Sequence, residues 1–353
     1  MNQRSSGAPT IIDVAKKAGV SIKTVSRVMN NEPNVQAKTR ELVMQVVAEL
    51  NYRPKLSARS LAGARSFIIG MLYYDPSLAY VASVQHGATM RCREADYHLV
   101  VESIENNALD IRSRVQRMVA ALRPDGVILT PPICDNREVI DALLDTGTPT
   151  VLIAPGEHTQ GLPAVAMDDV GAAQEVTNLL IGLGHKRIGF VEGPTDQAAA
   201  ARRRRGFEQA MQAHGLAMPA ELIVQGDFRF QSGVEAAHHL LSRRNPPTAV
   251  FASNDDMALG LLAAAQQLGV QVPEDLSIVG FDDFSAASLV WPPLTTVRQP
   301  LFEMACAAVD LLIGRERPPL DDGTPASPRL LPHQLLVRHS TAAPRKRTKP
   351  HTA

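Results

Sequence analysis

The stretch DVAKKAGVSIKTVSRVMN, residues 13–30, decides how the chain begins, because it reads as two short helices around a forced turn. Thr10 followed by Asp13 has the spacing of a helix start, with a carboxylate favourable in the first turn. Ile11, Val14, Ala15 and Ala18 recur at helical period and define the apolar face of a helix over 11–18. Gly19 supplies the backbone freedom of a tight turn. Val20 plugs that turn, and Ser21 caps a second helix reaching about Asn30, in which Val25, Val28 and Met29 point inward. A small residue at 15, a glycine four later and a branched apolar residue six beyond it form the spacing of a helix-turn-helix. The same pattern would also suit an unrelated helical hairpin, so the rest of the chain has to decide. Lys23, Ser26 and Arg27 lie on the outer stripe of the second helix.

Charge bears on that choice. The 353-residue chain has no net charge, yet residues 1–65 hold eleven lysines and arginines against four acids. The tail from Arg338 adds five basic residues and no acid, which leaves the middle strongly acidic. A basic head on an acidic body is the distribution of a head that meets a polyanion. A hydrophobic content of 45% and a charged content of 20% belong to a globular protein long enough for two or three domains. Cys92, Cys134 and Cys306 lie far apart with no CxxC, which argues against a disulfide framework or zinc site. The polar start MNQRSSGAPT has no apolar signal core, and no run reaches membrane-spanning length, so a cytoplasmic protein with no membrane partner is expected.

A third helix over about 37–51 carries Leu42, Val43, Val46, Val47 and Leu50 as the stripe that closes a three-helix core. Pro54 ends it, and KLSARSLAG could form a short marginal helix ending at Gly63. Nothing within that piece can bury Leu56 and Leu61 together, so it needs a partner to fold.

Taken together, DVAKKAGVSIKTVSRVMN, AKTRELVMQVVAELNYRP and LAG resemble the DNA-binding head and hinge of the lactose/galactose repressor family of transcription factors. The resemblance implies that the second helix enters the major groove of operator DNA, with Ile22, Lys23 and Arg27 at base edges. Thr10, Ser21, Thr24, Ser26 and Asn30 would then sit on phosphates. Leu61, with Ala58 beside it in the hinge, would wedge into the minor groove across a dimer axis. Family members often carry a longer polar or aromatic pair at positions 22 and 23, so the operator sequence is not legible.

From Phe67 onward, short apolar runs such as FIIGMLYY, DGVILT, TVLIAP, RIGFVEG, TAVFAS and LSIVGFDD alternate with helical segments, the signature of a parallel α/β architecture. There are too many strands for one compact sheet, so two lobes are expected. GLGHKRIGF is no phosphate loop, because Gly184 reads as a helix cap and no GK[ST] or GxGxxG follows a strand. The adjacent His238 and His239 cannot share a helix face as metal ligands. No cofactor, metal or nucleophile–base pair is expected, and hence no enzyme.

The body likewise resembles the family's effector domain through GLGHKRIGFVEGP, ASNDDMALG, IVGFDD and PPLTTVRQP. That implies an all-α helix-turn-helix head plus an α/β body of two Rossmann-like lobes of the periplasmic-binding-protein type. The head would span 1–53, the hinge 54–66 and the body 67–340. The first lobe would take about 67–165 and 297–325, the second about 166–296 and 326–340, with a disordered basic tail over 341–353. An effector would lie between the lobes against Asp75, Tyr80, Arg203, Phe228, Asn254, Asp282 and Gln299. Several of these have other uses: Arg203 belongs to a run of four arginines that suits a solvated face, Asn254 suits a helix cap, Asp282 a turn and Phe228 a core. After the strand PTVLI, many family members place an acid where this chain has Ala154-Pro155-Gly156, which leaves an oligosaccharide, a sugar acid or a non-carbohydrate open. Trp291 is expected to pack at a lobe crossing. The resemblance thus implies a homodimeric, nucleoid-associated repressor controlled by a sugar or sugar-derived effector, paired through helices near Gln85–Glu94 and Asp110–Leu122.

Overall fold

A computed structural model describes residues 9–29, 32–52, 65–74, 77–105, 109–156, 161–314 and 327–345. Asn30, the hinge residues Ala58 and Leu61, and Asp75 lie outside the described residues. The chain divides into a head, Met1–Phe67, and a body, Ile68–Ala353.

Among the described residues of the head there are three helices: α1 (Ile11–Ala18), α2 (Ile22–Met29) and α3 (Ala37–Glu49). The first begins in a reciprocal capping box, where the Thr10 N–H donates to Asp13 Oδ2 at 2.8 Å and the Asp13 N–H to Thr10 Oγ1 at 3.4 Å. Gly19 sits at φ +66°, in the left-handed region that glycine enters freely. Val20 follows with its N–H on the Ala15 carbonyl. Val14, Ala15, Ala18, Val25, Val28, Val43, Val46 and Tyr52 form the core. The expected stripe on α3 is corrected at one position: Leu42 is 44% exposed, while Val47 and Leu50 pack on the core edge. One step around the helix separates Leu42 from the buried Val43, and Tyr52 joins the core beyond the helix end.

The body's first sheet has six parallel strands in the order β11-β5-β4-β3-β1-β2: β1 (Ile68–Tyr73), β2 (His98–Ser103), β3 (Gly126–Leu129), β4 (Thr150–Ile153), β5 (Ala164–Met167) and β11 (Arg329–Leu331). Helices α4 (Leu78–Glu94) and α12 (Leu301–Leu312) pack together on one face. Helices α5 (Ile111–Leu122) and α6 (Arg137–Asp145) bury Ile111, Val115, Val139 and Leu143 against the other. Strands buried on both faces read as continuous apolar runs, which is why the sequence shows runs and not alternation.

The second sheet runs β7-β6-β8-β9, again parallel: β6 (Ile188–Glu192), β7 (Ile223–Gln225), β8 (Ala249–Ala252) and β9 (Ser277–Val279). Helices α7 (Asp169–Gly182) and α8 (Ala198–Ala213) bury Val176, Leu180, Phe207 and Met211 on one face. Helices α9 (Phe230–Leu241) and α10 (Asp255–Gln267) cover the other with Ala236, Leu240, Met257 and Leu261. A short helix α11 (Ser285–Leu289) leads to β10 (Thr296–Arg298), which pairs antiparallel with β12 (Gln334–Leu336).

Three expectations are corrected here. Residues from 326 were assigned to the second lobe, yet Arg329–Leu331 is the edge strand of the first sheet beside β5, so the last change of lobe falls between β11 and β12. Trp291 is 84% exposed and meets His339 edge-on (ring centroids 6.5 Å apart); the residue that turns into the core is Leu294. Residues 341–345 of the expected tail are ordered, with the Ala342 carbonyl accepting from the Ser277 hydroxyl and Arg345 pairing with Asp275 at 2.8 Å, while 346–353 lie outside the described residues. His185 secures this end. Its ring is buried between Thr248 Oγ1 (2.9 Å), Ser277 Oγ (3.1 Å) and the Ala342 carbonyl (2.9 Å).

Candidate DNA-reading face and effector cleft

On the head, α2 keeps its outer stripe in solvent. Ile22 is 48% exposed, and Lys23 and Ser21 are exposed beside it. Ser21 Oγ accepts from the Thr24 N–H at 3.1 Å, and the two hydroxyls lie 2.9 Å apart. Thr24, Ser26 and Arg27 are half-buried, and Arg27 Nε lies 3.4 Å from Glu32 Oε2. The sequence reading missed Glu32. This acid faces the very guanidinium that was assigned to a base edge, and an exposed pair of that kind is weak enough to exchange for another partner. Thr10 is engaged in its own cap, where its hydroxyl holds the Asp13 carboxyl below its ordinary pKa.

The body's site is built at strand ends. Ser77 and Tyr80 follow β1, Pro131 follows β3, Ala154 follows β4 and Asp169 follows β5. From the second sheet, Gln197, Ala199 and Arg203 follow β6, Phe228 follows β7, Asn254 follows β8, and Asp282 and Gln299 come after β9 and β10. All line one cleft, part of it open to solvent. Ligands of open parallel sheets bind at such carboxyl ends.

Arg203 is the centre of the polar wall. It is 3% exposed; its Nε donates to Asp169 Oδ1 at 2.9 Å and its Nη1 to the Ser253 carbonyl at 2.6 Å. Asp282 Oδ1 lies 3.7 Å from Nη1, and the guanidinium carbon stands 3.8 Å from the centroid of the Phe281 ring. Gly206, one turn on in α8, makes this possible: a Cβ there would lie 2.3 Å from the Val170 carbonyl, so only glycine lets α8 close against the first turn of α7. Asp169 is the first residue of α7, where the helix N-terminus favours its charge.

Asp282 is 7% exposed and accepts from the Gln299 amide. Burial pushes its carboxyl well above the ordinary value, against the pull of Arg203. Behind it, burial raises Asp255 to about 7, although Thr296 Oγ1 and the Phe284 N–H both donate to it. Asn254 has both ends of its amide in use: Oδ1 caps α10 by accepting from the Met257 N–H at 3.0 Å, and Nδ2 donates to the Phe228 carbonyl at 2.9 Å. Its capping reading therefore holds while it also lines the cavity. Bonds that join the lobes at the rim run from Ser77 Oγ to Asp256 Oδ2 at 3.0 Å and from Arg202 to the Pro155 carbonyl.

Of the seven residues expected at the effector site, six (Tyr80, Arg203, Phe228, Asn254, Asp282 and Gln299) meet at this cavity. Asp169 and Gln197 were missed. Asp169 follows Asp168 after an apolar strand, a pair that reads as ordinary capping, and only the approach of α8 turns it toward Arg203.

Comparison with known proteins separates head and body in the same way. Residues 10–55 match the family described as bacterial regulatory proteins, lacI family, and residues 177–341 match a periplasmic binding protein-like domain. Catabolite control protein A of Priestia megaterium is 34% identical over 333 residues, covering 94% of this chain and 99% of the relative. The chain belongs to the lacI family of bacterial regulatory proteins. Members of this family are transcriptional regulators and not enzymes, and this one is a ligand-responsive DNA-binding regulator. The PurR repressor of Pasteurella multocida is 35% identical over 309 residues, covering 87% of this chain and 91% of that one. Among solved structures, the Lac repressor dimer bound to operator and the anti-inducer ONPF has a TM-score of 0.78 at 30% identity, covering 96% of this chain and all of that one. The regulator CelR in complex with cellobiose has a TM-score of 0.69 at 31% identity, covering 94% and 99%. Among the described residues, no helix is long and apolar enough to cross a membrane.

Proposed function

We propose that this lacI-family regulator represses transcription as a homodimer, reading a near-palindromic operator with α2 and releasing or holding it according to an effector in the body's cleft. The observation that carries the reading is the convergence of six expected residues from both lobes on one cavity, in a chain that also presents a lacI-type head. Ile22, Lys23 and Arg27 contact base edges, while Thr10, Ser21, Thr24, Ser26 and Asn30 anchor phosphates. Ala58 and Leu61 hold the hinge in the minor groove. A protein so engaged is associated with the nucleoid.

In the cleft, Arg203, Asp282, Gln299 and Asn254 bond a polyhydroxylated ligand, and the Phe228 face covers its C–H side. Lac repressor with ONPF and CelR with cellobiose support a carbohydrate-type effector. The first lobe extends to Met167, resumes after Arg298 and ends with β11, so the ligand bridges three chain crossings. Control is a linkage: a ligand that binds one arrangement of the lobes better shifts the spacing of the two hinges, and operator DNA reciprocally alters ligand affinity. Gel shifts on genomic fragments at fixed salt test this. Retardation that survives competitor DNA and changes with one member of a sugar panel is expected, whereas retardation equal on all fragments and indifferent to every member would refute it.

A further inference from the structure

We infer that the cleft takes an uncharged or amine-bearing polyhydroxylated effector and rejects carboxylates and phosphates, because Asp169 already neutralises Arg203. The inference rests on the reading of this cavity as the effector site and narrows what the site accepts.

Arg203 is the one cation among the described residues lining the cavity, and two carboxylates, Asp169 and Asp282, face it. The Asp169 pair is at hydrogen-bond distance with both side chains below 5% exposed, so solvent screens it little. Whichever protonation state Asp282 takes, the wall carries no surplus positive charge. The neighbouring arginines do not supply one. None of the three lines the cavity: Arg202 keeps its charge but donates to the Pro155 carbonyl outside the lining, Arg204 is held by Glu192 and Glu208 at 2.6 Å each, and Arg205 is exposed. The rim and the layer behind the wall add further acids, Asp256 on Ser77 and Asp255 behind Asp282.

An anion entering this site would lose its hydration with no unpaired cation to receive it, an unfavourable exchange. Hydroxyls avoid that penalty, since they donate to Asp169 and Asp282 and accept from the remaining guanidinium N–H groups and the Gln197 amide. Ala154 fits the same logic. At Ala154 the lining offers no carboxylate, and Asp169 brings one from the first turn of α7. Asp169 is thus a specificity-determining residue.

The test titrates full-length wild type and Asp169→Asn with glucose, glucosamine, glucuronate, glucose 6-phosphate and inorganic phosphate by calorimetry at pH 7.5, with circular dichroism confirming the fold. Asparagine still accepts from Arg203 Nε but unmasks the guanidinium charge. Wild type is expected to take up none of the anions. Asp169→Asn is expected to bind glucuronate or phosphate at least about tenfold more tightly than wild type, a gain that a further Arg203→Met substitution removes. Asp169→Ser removes the same carboxylate and serves if Asp169→Asn does not fold. Saturable, Arg203-dependent anion binding by wild type, or no gain in a folded variant, would overturn the inference. The two readings fail separately. Release of DNA by an anionic sugar refutes the charge argument and upholds a cleft effector, whereas anion uptake by the variant with DNA binding unchanged upholds the charge argument and tells against the cleft as the control site.

Discussion

Replacing Arg203 with methionine probes the pair on which the cleft is built. The substitution keeps much of the apolar stem that covers Phe281 but removes the partner of Asp169, which is 2% exposed. Removing one member of a buried ion pair costs about 3–5 kcal/mol, since the remaining charge is left uncompensated. Asp169 heads α7, and a helix N-terminus offsets up to about 2 kcal/mol of that loss in a partly buried setting. The Ser253 carbonyl loses its guanidinium donor as well, adding about 1 kcal/mol or more. The net expectation is a loss of about 2–4 kcal/mol, read from the urea midpoint of the body's transition with the slope unchanged. Coupling Arg203→Met with Asp169→Leu removes the stranded charge and should recover more than half of the loss. A single variant within about 0.5 kcal/mol of wild type, the scatter of ordinary surface changes, or a double variant no better than the single, would refute the buried-pair account.

Gly206→Ala drives a Cβ toward the Val170 carbonyl at 2.3 Å and should destabilise the body by about 1–3 kcal/mol, seen as a lower melting temperature; an unchanged melt would show that α7 and α8 do not meet as described. Burial holds the His185 imidazole below its ordinary pKa of 6.5, so the unfolded chain binds the extra proton first. Its contribution is therefore complete above about pH 6.5 and declines as pH falls below that value. A His185→Gln variant should flatten this part of the stability–pH curve, and an identical slope would exclude the histidine as its source. Arg27→Ala should relax operator preference at one base pair by about 1–3 kcal/mol while leaving nonspecific binding nearly intact, measured by competition gel shift; an equal loss on all sequences would make Arg27 a phosphate contact.

The head was legible because its information is local. Thr10 with Asp13, Gly19 at the turn and the spacing of Ala15 and Val25 constrain neighbours within a few residues, and the helices, the cap and most of the core follow. Leu42 was misplaced because one step around a helix rotates a side chain by about 100°, and sequence spacing alone does not settle which apolar neighbour faces inward. Trp291 and the tail illustrate the opposite difficulty. Trp291 was expected to pack and the basic tail to be disordered, but Leu294, three residues on, takes the core position, and His185 holds the Ala342 carbonyl from far away in the chain.

In the cleft, the residue types were readable and their relations were not. Four consecutive arginines look alike in sequence, yet the helix sends Arg202 to the opposite lobe, Arg203 into the wall, Arg204 to two glutamates and Arg205 to solvent. The amino-acid sequence by itself determined the helix-turn-helix head, the alternation of strand and helix, and the kinds of polar group available to the site, because periodicity and capping act over a few residues. Only the tertiary structure decided that Arg203 is matched by Asp169 and that β11 returns to the first sheet. Those pairings depend on how far-separated segments approach, as at the bare Cα of Gly206, and no local pattern encodes a distance between two helices.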